Sequence, residues 1–136
     1  MKKCKWVLTA ICLINLTMCC GCSKEKEEEK IASMEYTVCE ESELPQNLID
    51  IIKSRREEEF GIAYSEEEYT YLVKGYGKQD TGGYNILVDD VYYTDSNVVL
   101  ATTLKGPAES DKVLKAATFP YIAVKVEYIQ KDARFE

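Results

Sequence analysis

Residues 69–94 read YTYLVKGYGKQDTGGYNILVDDVYYT, and the period of this stretch decides the fold. Tyrosine, valine, isoleucine and threonine suit a pleated, half-buried surface, and here they fill two runs, 69–77 and 83–94, with a period of two. The loop between the runs holds Thr81-Gly82-Gly83 and then Tyr84. Adjacent glycines there permit a positive φ or a close backbone approach by another segment. In the second run the alternation of Tyr84, Ile86 and Val88 breaks at Asp89-Asp90. A β-bulge at that point would turn Val91 inward again.

Outward from this stretch, NVVLATTLKG (97–106) and FPYIAVKVEYIQ (119–130) carry the same chemistry. Asp95-Ser96-Asn97 is a tight turn, so 83–94 and 97–106 are expected to pair as an antiparallel hairpin. In the last run Ile122, Val124, Val126 and Tyr128 are expected to face the core, with Tyr121, Ala123, Lys125 and Glu127 facing out. Upstream, MEYTVCE (34–40) reads as a short strand. The spacing of Leu48, Ile51, Ile52 and Arg55 predicts a helix from about Leu44 to Phe60, with Pro45 in its first turn and Gly61 as its stop. The expected class is α+β: a small antiparallel β-sheet domain with one N-terminal helix packed on it, preceded by a signal peptide and a flexible tether.

The chain opens MKKCKWVLTAICLINLTMCCGCSKEKEEEK (1–30). Lys2, Lys3 and Lys5 precede an uncharged, mostly apolar run from Trp6 to Cys20, the layout of a secretory signal peptide. The run is shorter than the roughly 20 apolar residues that a membrane span needs. Gly21-Cys22-Ser23 resembles the lipobox of bacterial lipoproteins, although Cys19 stands where that box usually has leucine. On this reading residues 1–21 are a lipoprotein signal peptide, Cys22 carries the lipid, 22–35 form a charged tether and 36–136 the folded domain. Multiple acyl chains on Cys22 would hold the domain firmly on the extracytoplasmic side of the cell membrane or envelope. An uncleaved membrane anchor and a metal site are the competing readings of Cys19, Cys20 and Cys22. Zinc, however, wants paired thiolates with a second pair or histidines, and the chain has no histidine. After cleavage Cys22 and Cys39 alone would remain, with Cys22 blocked and no disulfide to make. Cys39 reads as a small buried hydrophobe in a strand, or else as a reactive thiol.

All 24 acidic residues follow Gly21, and 14 of the 17 basic ones do, which sets the balance after cleavage at −10. Such a surface lacks the basic patch of a nucleic-acid binder. It also lessens attraction to anionic lipid headgroups. Without histidine the commonest general base and metal ligand is missing. The carboxylates at 57–59, 66–68 and 89–90 fall on expected solvated faces or turns, where a carboxylate-pair hydrolase is the remaining catalytic alternative. Phosphate-loop and dinucleotide glycine patterns are missing. The chain is therefore read as a non-enzyme, with no catalytic residues, no metal, no cofactor and no nucleic-acid partner.

Two stretches stand out as candidate contact elements. One is the Thr81-Gly82-Gly83-Tyr84 loop, read either as a turn or as a rigid loop shown to a protein partner. The other is ATFPYIAVKV (117–126), where Pro120 suits a strand entry and Tyr121, on the outward set, would stand beside the glycine loop as an interface anchor. Together with Gly77, Lys78, Gly106, Pro107 and Thr118, these residues form a pattern over about 69–128 that resembles the C-terminal domain of PrcB-like proteins, a family of protease-complex components. Phe119 stands where that family commonly has tyrosine. The resemblance implies a non-enzymatic accessory component, often a lipoprotein, that associates with a surface protease and stabilises it. A looser likeness links KQDTGGY (78–84) to the NPTTGY loop of chagasin-like protease inhibitors, but the leading Asn-Pro and the RPW loop are missing. On that likeness the 81–84 loop would enter a protease cleft. An envelope scaffold without any protease link is the third reading.

Overall fold

The computed structural model describes residues 28–136; the expected signal peptide and Cys22 lie outside the described residues. Among the described residues eight strands form two sheets and one α-helix accompanies them: β1 (Ala32–Ser33), β2 (Thr37–Cys39), α1 (Gln46–Arg55), β3 (Glu59–Glu66), β4 (Tyr69–Tyr76), β5 (Asn85–Tyr93), β6 (Asn97–Lys105), β7 (Tyr121–Glu127) and β8 (Asp132–Phe135). One sheet runs in the order β1-β5-β6-β8 and the other β2-β7-β4-β3. All pairings are antiparallel except β6 with β8.

The middle of the β2-β7-β4-β3 sheet is covered on both faces. Strand side chains alternate between faces, and paired residues share one. The registers Ile62↔Val73↔Ala123 and Phe60↔Gly75↔Tyr121 therefore define one face, where Leu44, Leu48 and Ile52 from the helical layer pack. Gly75 has no side chain because the Phe60 ring occupies that space: a Cβ there would lie 2.1 Å from the ring. On the opposite face Leu72, Val124 and Val126 pack against Val91, Val98 and Leu100 of the other sheet. The domain is thus a two-sheet sandwich with a helix on one outer face, still mostly antiparallel sheet with a single helix.

Several expectations hold. The 83–94 and 97–106 runs form a hairpin, closed by the Thr94 N–H donating to the Asn97 carbonyl at 2.8 Å. Its register shifts between Val88 and Asp90, so the bulge is real, and Val91 is buried. Others need correction. The helix ends at Arg55, not Phe60, and Phe60 lies in β3. The residues FGIAYSE after it alternate Phe60, Ile62, Tyr64, a strand period that a continuous helix cannot bury. Gly61 does not stop a helix: it sits mid-strand opposite Lys74, beneath the Phe135 ring. In β7, Ala123 is buried along with Val124 and Val126, because the helix covers the face expected to be wet. Tyr128 lies beyond the strand end and is 51% exposed. The single sheet of the expectation becomes two.

Part of the segment read as tether lies on the domain. Ala32 and Ser33 pair with Tyr93 and Tyr92, and Lys30 and Ser33 both bond the Asp90 carboxylate. Glu28 accepts hydrogen bonds from the Thr94 hydroxyl, the Ser96 N–H and the Asn97 side-chain amide, at the tip of the β5–β6 hairpin.

Candidate functional site

Strand β4 ends at Tyr76 in one sheet and β5 begins at Asn85 in the other, so the 77–84 segment is a crossover rather than a hairpin. It meets the chain again at Thr118. Gln79 and Thr118 exchange backbone hydrogen bonds of 2.8 and 2.9 Å, and the Thr118 hydroxyl donates to the Thr81 carbonyl at 2.7 Å. One step away the Tyr76 N–H donates to the Pro120 carbonyl at 3.0 Å. The Gly82 N–H donates to the Leu114 carbonyl at 2.8 Å. The two stretches singled out in the sequence are therefore adjacent, joined through backbone.

Gly106-Pro107 completes the arrangement. Gly83 has a φ of 88°, a left-handed value that favours glycine. A Cβ there would meet Val113 Cγ1 at 2.7 Å and Pro107 Cβ at 3.0 Å. Gly82 is different: its Cβ would stand at an ordinary 3.5 Å from Leu114. The Tyr84 ring lies against Gly106, where a Cβ would be 3.3 Å from the ring edge. Thr81, Gly82 and Tyr84 are half-buried, and Gly83 is exposed. The Thr81 carbonyl, the Gly82 N–H and the Tyr84 ring are engaged by neighbouring loops, so the segment is a packed floor rather than a projecting finger.

Tyr121 does not stand beside this loop as an outward anchor. Its ring packs half-buried against the helix-side core, opposite Gly75, and its hydroxyl donates to Glu41 Oε2 at 3.2 Å. Burial first, and then the Glu41 charge, push the phenol up to about 12. Pro120 is half-buried at the strand entry, as Thr118 and Phe119 are. The Arg56 guanidinium lies 4.3 Å over the Phe119 ring, tying the end of the helical segment to the same pole.

What projects at this pole is Leu114, at 70% the most exposed of the large hydrophobic side chains described. The sequence motifs do not include it. It sits in the short apolar pair Val113-Leu114 between Lys112 and Lys115, and no periodicity in the sequence marks it as exposed. Cys39 is half-buried against the helix-side core, and burial, followed by the Glu43 charge, raises its thiol above the ordinary value. That keeps it protonated and a weak nucleophile. Among the described residues no group of three Cys, Asp or Glu side chains is arranged to hold a metal ion.

No curated protein and no solved structure matches this chain. A family model described as PrcB C-terminal matches residues 70–127, from within β4 to the end of β7, and so takes in the crossover, the Gly106-Pro107 turn and the Thr118–Tyr121 entry. Over that span the chain is similar to the PrcB C-terminal family.

Proposed function

We propose that this chain is a lipid-anchored, non-enzymatic accessory component of a protease complex at the cell surface, held to the membrane through Cys22 and stabilising its partner by contact. The family supplies the protease complex. The observation that carries a contact role is the convergence of 77–84, 106–107 and 113–120 into one packed pole with Leu114 exposed on it. Such a rigid floor loses little conformational entropy on binding, and an exposed apolar side chain offers area to bury. The inhibitor reading asks for a loop that can enter a cleft. It draws less support, because Gly83 lies against Val113 and Pro107 and the Thr81 carbonyl is already bonded to Thr118.

Purifying the acylated protein from crosslinked membranes and identifying its partners tests the proposal. A recurrent protease whose activity survives in the complex is the expected outcome. Loss of that activity on adding the protein would favour the inhibitor. Reproducible recovery of a different envelope protein would retire the protease link. Cys22→Ser is expected to release the chain from membranes, and a variant that still pellets with them would refute the anchor.

A further inference from the structure

Strand β3 is an open edge. It is the outermost strand of its sheet, eight residues long, and among the described residues it pairs only with β4. Among the described residues no other backbone hydrogen bond reaches 59–66. Alternate N–H and C=O groups along such an edge point away from the sheet with nothing to bond, a template for another strand.

Two features say what would bind there. The first is a slot. The face that β3 turns toward the other sheet carries Gly61, Ala63 and Ser65, all small. The Phe135 ring fills the space over Gly61, but next along β8 comes only Ala133. An open cavity of about 470 Å³ remains between the two sheets; Ala63, Ser65, Leu72, Val98, Val126 and Ala133 line one part of it, and the 95–96 and 128–132 segments complete it with polar and charged groups. The second feature is charge. The sequence here is EEEFGIAYSEEE (57–68), an uncharged edge bounded at each end by three glutamates. Of these six, Glu59 bonds Lys74, and the other five make no ion pair among the described residues. They remain exposed.

We propose that the β3 edge receives an extended segment of a partner protein, about as long as β3, with apolar side chains at alternate positions and lysine or arginine at both ends. Backbone pairing supplies the hold, one apolar side chain enters the slot, and the flanking glutamates meet the basic ends. The same glutamates reject a second copy of this chain, because β3 against β3 would set triplet against triplet in either direction. This deepens the accessory reading, on which it rests, by naming a surface and the chemistry of the segment it takes.

The test is direct binding of dye-labelled synthetic peptides to the full chain in detergent, followed by anisotropy, with amide hydrogen exchange to locate the contact. KKKVTVTVTKKK is expected to bind and to slow exchange in 59–66. EEEVTVTVTEEE and the proline-interrupted KKKVTPTPTKKK should each bind at least about tenfold more weakly, the first through charge and the second through lost backbone pairing. With Glu57→Gln, Glu58→Gln, Glu67→Gln and Glu68→Gln combined, the preference for lysine ends should shrink toward nothing. Equal binding of the proline-interrupted peptide, or protection lying off β3, would overturn the edge assignment. Failure to find a protease among the membrane partners would overturn the accessory reading while leaving the peptide result standing.

Discussion

The two sheets are built from similar residues but face different surroundings. In the β2-β7-β4-β3 sheet, the stretch Leu72 to Gly75 is buried without a break, because the helix lies on one side and the other sheet on the other. In the β1-β5-β6-β8 sheet the outer face has no layer over it among the described residues. Strand β5 alternates there, with Leu87 50% exposed, and Val99 is buried only in the row it shares with Tyr92 and Arg134. The difference teaches that a period of two reports one wet face. It locates the bulge at Asp89-Asp90 correctly and misassigns Ala123, which lies on a face that the helix dries.

The comparison can be broken most forcefully at the two cores. Leu48 and Leu72 are both buried, on opposite faces of the same sheet. Each change to alanine should cost about 2–5 kcal/mol in denaturant unfolding, whereas Leu87→Ala should stay within about 0.5–1 kcal/mol. The double variant should fall within about 0.5 kcal/mol of the sum of Leu48→Ala and Leu72→Ala. Strong coupling would mean that the two layers act as one core.

A smaller contrast lies within the crossover. Gly83→Ala combines a left-handed φ with a Cβ pressed into Val113, and should cost about 2–4 kcal/mol. Gly82→Ala should be within about 0.5 kcal/mol of the parent chain, since its Cβ meets Leu114 at ordinary distance. Equal effects in thermal unfolding would show that the Val113 and Pro107 packing is not what holds the loop.

The smallest effect belongs to the N-terminal segment on the open sheet. Hydrogen bonds from Ser96, foremost, and from Thr94 and Asn97 hold the Glu28 carboxyl down to about 2, below its ordinary value near 4.5. A depressed acid stabilises only in its charged form. The attachment is therefore complete above about pH 4.5 and fades as pH falls toward 2. Protection of the Ile31 amide, which donates to the Tyr93 carbonyl at 2.9 Å, should drop through that window. Glu28→Gln should remove the pH dependence, and an unchanged profile would assign it to another carboxylate such as Asp90, which Lys30 and Ser33 hold low.

Much of the β framework is legible in the sequence: the runs at 69–77, 83–94, 97–106 and 119–130 are β4, β5, β6 and β7 with small shifts at their ends. Strand β3 escapes it because EEE and SRR beside it favour helix, and its alternation covers only Phe60, Ile62 and Tyr64. Strands β1 and β8 escape it because two and four residues carry no period. At the candidate site, the two motifs are visible as strings but their roles are not. Gly82 and Gly83 look alike until φ is known, and Tyr121 looks exposed until the helix is placed over it.

By itself the sequence determined the paired strands, the Asp95–Asn97 turn, the bulge and the PrcB-like pattern, because alternation, turn chemistry and motif spacing are properties of short stretches. Only the tertiary structure decided that the middle of one sheet is dry on both sides, that Gln79 bonds Thr118, and that small residues in β3 leave a slot beside an open edge. Those depend on which distant segments meet, and burial is a property of the meeting rather than of either segment.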